Sequence, residues 1–106
     1  MEPTELSGYL FTPKAEDDLE AIWRYTAETW SPGEADQYID TLIQTIETLV
    51  AIPQLARERA DFTPPVRIHP AAEHLIISLL DSDRLSVIRI LGSRQNWRGL
   101  LEVIDA

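Results

Sequence analysis

The sequence predicts an α+β fold: an N-terminal strand, an antiparallel helical hairpin, a three-stranded antiparallel meander and a short C-terminal tail. Three observations carry that expectation. Apolar residues recur at helical spacing through the first half, Ser31-Pro32-Gly33-Glu34 divides that stretch in two, and β-branched runs punctuated by turns fill the second half.

The first element, Tyr9-Leu10-Phe11-Thr12, is a short strand. Thr12-Pro13 then supplies an N-cap and a proline at the first helical position. Glu16, Asp17 and Asp18 follow in the first turn, where negative charge suits the helix dipole. Ala15, Leu19, Ile22, Trp23, Thr26 and Trp30 give an amphipathic helix over about 13–30. Its two tryptophans are expected to lock the hairpin onto the sheet. Ser31 and Glu34 read as a capping box for a second helix. Tyr38, Ile39, Leu42, Ile46 and Leu49 form its apolar stripe, Ile43 lies at the edge of it, and Pro53 stops it. With almost no residues between them, the helices must fold back antiparallel. A polar loop over 54–65 ends in Pro64-Pro65, and strand signals follow at 66–69, 75–80 and 85–91. Ser82-Asp83 is a tight turn, and 95–101 forms a last helical turn or a docked tail.

Both faces of the meander read as apolar. Leu75, Ile77 and Leu79 alternate with Ile76 and Leu80, and Leu85, Val87 and Leu91 alternate with Ile88 and Ile90. One hairpin covers one face, so the other needs the tail around Trp97, a second copy or a partner segment. Arg89 sits inside this run, and strict alternation places it beside Leu85, Val87 and Leu91. A guanidinium there requires either a carboxylate from its own domain or an anion or protein segment from outside.

Composition narrows the chemistry. The 106 residues suit one domain over 1–106, and the absence of cysteine excludes thiolate sites and disulfides. The acidic N-terminus lacks the regions of a signal peptide, and the longest apolar runs are too short for a bilayer. A cytoplasmic protein without membrane contact is expected. Residues 1–52 carry eleven acidic and two basic side chains, whereas 53–106 carry seven of each. The acidic half would repel a phosphate backbone, so direct nucleic-acid binding is not expected. No glycine loop for a phosphate, no G-x-S-x-G elbow and no convergent metal ligands occur; His69 and His74 are the only histidines. No cofactor or metal is therefore expected. Metal-free RNA cleavage would need a general base, a general acid and a cation. Arg67, Arg89, Arg94 and Arg98 could supply the cation, but the tyrosines Tyr9, Tyr25 and Tyr38 and the sole lysine, Lys14, all lie in the first half. No catalytic residue is assigned.

Phe11-Thr12-Pro13-Lys14-Ala15-Glu16-Asp17-Asp18-Leu19-Glu20-Ala21-Ile22-Trp23-Arg24-Tyr25-Thr26 resembles the opening of ParE-type toxins, L-T-P-x-A-x-x-D-L-x-x-I-W-x-Y-T. Trp30-Ser31-Pro32-Gly33-Glu34-Ala35-Asp36-Gln37-Tyr38 is similar to their helix junction, and His74-Leu75-Ile76-Ile77 and Val87-Ile88-Arg89-Ile90-Leu91 to their last two strands. The resemblance spans about 9–98 and implies the RelE/ParE fold and the toxin half of a type II toxin–antitoxin pair. It implies inhibition of DNA gyrase by protein binding and neutralisation by a ParD-like ribbon-helix-helix antitoxin in a hetero-oligomer. The alternatives are ribosome-dependent mRNA cleavage, as in RelE-like relatives, and a non-toxic relative that only binds its antitoxin. The chain departs from the pattern at Ser78, Gly92 and Gln95-Asn96, where the family commonly carries tyrosine, histidine and Met-Asp. Arg89 and Arg94 match family arginines. They are the expected charge anchors for a partner, beside Arg67 and Arg98, with Trp97 as an apolar anchor or as a core residue closing the tail. An acidic antitoxin segment is expected to engage this arginine-bearing half.

Overall fold

The computed structural model describes residues 6–102. Strand β1 (Gly8–Phe11) leads directly into helix α1 (Pro13–Thr29), whose cap is Thr12: its side chain accepts from the Ala15 amide. Helix α2 (Pro32–Ala51) is capped in the same way by Ser31, which accepts from the Glu34 amide. Each cap satisfies an N–H that the helix cannot. A 3₁₀ turn (Pro53–Leu55) follows. Then come β2 (Arg57–Arg59), β3 (Val66–Ala71), β4 (His74–Asp81), β5 (Arg84–Gly92) and a six-residue helix, α3 (Trp97–Glu102).

The five strands lie in the order β1-β5-β4-β3-β2. β2 to β5 pair antiparallel and β1 joins β5 in parallel. The expected meander is therefore present, extended by β2 inside the segment read as loop; Arg57-Glu58-Arg59 has no apolar alternation to reveal it. Two-residue turns at Ala72-Glu73 and Ser82-Asp83 connect β3 to β4 and β4 to β5, with positive φ at Ala72 (54°) and Ser82 (58°).

Strict alternation fails in β5. Ser78 pairs with Val87 but Ile77 pairs with Arg89, so Ile88 is an extra, bulged residue. Leu85, Val87 and Ile90 consequently pack in the core under the hairpin, while Ile88 and Leu91 belong to a second cluster on the opposite face. Arg89 is thus not on the Leu85–Val87 face. The bulge breaks the period-2 phase one residue before it.

On the hairpin side, Leu42, Ile46 and Leu49 of α2 seal Ile76, Leu85 and Val87 completely, with Ile43 as a partly buried flank. The other face is covered in part by the chain itself. Phe62, from the β2–β3 loop, and Leu101 of α3 are buried against Val66, Ile77 and Leu91, and Trp97 packs half-buried beside them. Of the three covers considered from sequence, the tail supplies this one, assisted by the loop.

The tryptophans of α1 do not lock the hairpin to the sheet. Trp23 donates Nε1–H to Asp36 of α2 (2.9 Å), which ties helix to helix, and Trp30 is 71% exposed. Ile22 and Ala15 provide the buried contacts of α1. The stripe that reaches the core is thus narrower than the one read from the sequence.

Candidate functional site

The site begins where β1 ends. β1 pairs with β5 only as far as Val87, so the edge of β5 beyond it needs other partners for its backbone. The start of α1 provides them. Thr12 donates its amide to Val87 O (3.0 Å) and its hydroxyl to Ile88 O (3.0 Å). Asp18 accepts the Ile90 amide (2.9 Å), and Gln95 folds back to accept the Gly92 amide (2.8 Å). A Cβ on Gly92 would lie 2.9 Å from Gln95 Oε1, so glycine at this position gives that side chain its room.

The same Asp18 carboxylate holds Arg89 through two bonds, Nε–Oδ2 at 2.8 Å and Nη2–Oδ1 at 3.0 Å. Both side chains are largely withdrawn from solvent, 16% and 14% exposed. This geometry is the bidentate fork that suits guanidinium and carboxylate. Hydrogen bonding to Asp18 pushes the Arg89 pKa further up, against a smaller opposing effect of burial. Of the two fates foreseen for Arg89, the structure shows the pair within its own chain.

Beside this pair runs a groove of about 590 Å³ between α1 and the end of β5, with Leu100 of α3 in its lining. Ile22, Ile90 and Leu100 contribute apolar wall, and Tyr25 and Trp30 stand at its rim, 68% and 71% exposed. Tyr38, Glu73 and His74 line it from α2 and the β3–β4 turn. The Tyr38 hydroxyl accepts the Glu73 amide (3.0 Å) and shares a hydrogen bond of 2.6 Å with His74 Nδ1. Burial pushes the Tyr38 pKa up and the His74 pKa down, so the pair is held in its neutral form.

The other residues singled out from sequence lie apart from this groove. Arg67 donates Nη1 to Ala56 O (3.1 Å) and tethers the 3₁₀ turn to β3. Arg98 reaches Asp61 at 2.7 Å, and Arg59 reaches the same carboxylate at 3.1 Å. Both guanidinium groups stand over Phe62 and Trp97, 5.2–6.0 Å from the ring centres. This clasp fastens α3 to the β2–β3 loop. Its two arginines, Arg98 foremost, hold the Asp61 carboxyl down at about 2. Trp97 thereby closes the tail onto the sheet. Arg94 is exposed and forms no ion pair among the described residues. The five candidates therefore do not converge on one patch.

Sequence reading missed Asp18, Tyr38 and the groove. Asp18 had a visible signal: it falls three residues after Ala15 and four before Ile22, on the buried stripe, where an acid calls for a cation. No group of three potential metal ligands occurs among the described residues, and no described helix is long and apolar enough to cross a membrane.

A helical hairpin on one face of a five-stranded sheet, its α1 start guarding the strand edge, is a small α+β architecture with a solved counterpart. The chain superposes on a structure of the chromosomal ParDE toxin–antitoxin system from P. aeruginosa with a TM-score of 0.71 at 18% identity, over 85% of this chain and 98% of that one. That likeness is one of fold. Residues 9–97 match the family model described as the ParE toxin of the type II toxin–antitoxin system parDE. Toxin ParE1 of Mycobacterium tuberculosis H37Rv is 31% identical over 91 residues, covering 85% of this chain and 93% of the relative. Toxin ParE of Escherichia coli is 30% identical over 74 residues, covering 70% and 72%. The chain belongs to the ParE toxin family of type II toxin–antitoxin systems.

Proposed function

We propose that this protein poisons its cell by binding DNA gyrase, performs no chemistry of its own, and is neutralised by a ribbon-helix-helix antitoxin. Family membership supports the target. The observation that carries the non-catalytic part is the Asp18–Arg89 fork. Arg89, bound bidentately and withdrawn from solvent, is not available to stabilise a developing phosphorane, and Arg67 and Arg98 are likewise bound within the chain. Of the arginines considered, only Arg94 is free of such a bond among the described residues, and it does not line the groove. The acidic hairpin, with nine acidic and two basic residues over 13–51, adds repulsion toward a nucleic-acid backbone. Supercoiling by purified gyrase in the presence of the full chain tests the reading. Loss of supercoiling activity at micromolar protein is expected, and unimpaired supercoiling rejects it.

One observation favours a second reading, mRNA cleavage on the ribosome. Tyr38, His74 and Arg89 line one groove, which assembles a hydroxyl, an imidazole and a guanidinium that looked dispersed in sequence. Their mutual engagement argues against it: the Tyr38 hydroxyl is occupied by Glu73 and His74, and Arg89 by Asp18. Primer extension on translated message decides the matter. New cuts that vanish in Tyr38→Phe and His74→Ala would establish cleavage.

A further inference from the structure

The geometry points to a second contact site away from the groove: a notch where β3 and β4 part, shaped for an extended peptide that carries lysine or arginine. The β3–β4 ladder ends at Arg67 and Ser78, while β4 runs on to Asp81 with β5 as its neighbour. Pro64 and Pro65 stand across the gap, lining a cavity of about 420 Å³ that shares no residue with the groove.

The form of the occupant follows from the register. Two-residue turns close the pairs Ala71–His74 and Asp81–Arg84, so these pairs exchange hydrogen bonds, as does every second pair counted from each turn. Leu80 falls between bonded pairs of the β4–β5 ladder, and its N–H and C=O therefore point to the β3 side. The position facing it there is Pro65, which lies beyond the ladder and has no N–H to give. No bond to the Leu80 backbone from outside the ladders is present among the described residues, and Leu80 is 40% exposed. A donor and an acceptor side by side on a strand edge are what an added strand pairs with. An edge of one residue is too short to recruit another sheet, so it suits a short peptide.

The sign of its charge follows from the walls. Glu58 and Asp81 present exposed carboxylates to the notch, and neither forms an ion pair among the described residues. The cation in the lining, Arg67, is half-buried and already donates to Ala56 O and Pro53 O. Of the neighbouring arginines, Arg59 is bound to Asp61, and Arg57 points to the opposite face of β2 from Glu58. Arg84 pairs in register with Asp81 and is balanced by Asp83 in the turn between them. Pro64, Pro65, Leu79 and Leu80 offer apolar surface to the methylene stem of a long basic side chain. Its charged head then meets Glu58 or Asp81.

NMR titration of the full chain at about 0.15 M salt tests the inference with three end-capped peptides of about six residues. One alternates valine and lysine, one alternates valine and glutamate, and one is the lysine peptide with its backbone amides N-methylated. The lysine peptide should shift the amides of Leu79, Leu80 and Asp81 and bind at least about tenfold tighter than either control. At about 90% occupancy it should slow hydrogen exchange at the Leu80 amide about tenfold, because exchange then proceeds only from the free protein. The double variant Glu58→Gln/Asp81→Asn, which alters only exposed side chains, should lose about tenfold of the affinity. Equal binding of the glutamate peptide or of the N-methylated peptide would overturn the proposal. So would unchanged affinity in the double variant, unchanged exchange at Leu80, or shifts centred on the groove residues Ile22, Ile90 and Leu100.

Discussion

The two faces of the sheet are both apolar, yet they are closed by different means. Under the hairpin, α2 lays three fully buried side chains, Leu42, Ile46 and Leu49, onto Ile76, Leu85 and Val87. On the opposite face, a loop phenylalanine and a six-residue helix cover Ile77 and Leu91, held by an ionic clasp at the surface. The first closure rests on apolar burial along one stripe of the twenty-residue helix α2. The second depends on a short segment near the chain end, whose local opening costs less than global unfolding. One sheet thus has a folding core on one side and a closable surface on the other.

The largest test of that contrast is Ile46→Ala. It should cost about 2–5 kcal/mol in urea unfolding, through lost burial and the cavity left behind. Leu101→Ala, at the α3 cover, should cost only about 1–2 kcal/mol, because the tail can relax around the gap. Equal costs would abolish the distinction between the faces.

Next in size is the fork that joins α1 to the sheet edge. Asp18→Ala should destabilise the chain by about 1–3 kcal/mol, since it strands both Arg89 and the Ile90 amide in a site slightly open to water. Arg89→Met should cost less, because the carboxylate keeps the amide. Reversal of that order in equilibrium unfolding would show that Asp18 does not guard the strand edge.

Acid should separate the regions further. The His74 pKa is depressed by burial, so the unfolded chain binds protons more readily below about 6.5 and stability falls as pH drops through that value. His74→Gln should flatten this part of the profile. Asp61 is held at about 2, below the usual carboxylate range, so its clasp is intact above that range and loosens as pH falls toward about 2. The Trp97 indole resonance should report release of α3 there, and Asp61→Asn should already show the released position at neutral pH.

The smallest effect is expected at Ser78. Its hydroxyl is fully buried beside the bulge with no hydrogen-bond partner among the described residues. Ser78→Ala should leave stability unchanged or raise it by up to about 1 kcal/mol, because an unsatisfied polar atom is removed. A clear loss in thermal unfolding would mean that the hydroxyl has a partner.

What could be read from the chain alone was local. Thr12-Pro13 and Ser31-Pro32 set the helix starts, because capping needs only residues adjacent in sequence. Apolar spacing gave the hairpin, and turn residues gave β3 to β5. The family was legible for the same reason, since its motifs lie in these local elements. β2 escaped notice because three charged residues at a sheet edge carry no pattern of their own. The exposure of Trp30 did too, because helical spacing shows which residues share a side but not where a helix leaves its support.

The sequence by itself determined the α+β architecture, two apolar sheet faces, and the need of Arg89 for a partner, all consequences of short-range periodicity and of the cost of burying charge. Only the tertiary structure decided which carboxylate answers Arg89, that the bulge at Ile88 moves it off the expected face, and that the chain's own tail covers part of the second face. Those outcomes depend on pairing between strands and on contacts remote in sequence, Asp18 to Arg89 across 71 positions and Asp61 to Arg98 across 37, which no local pattern encodes.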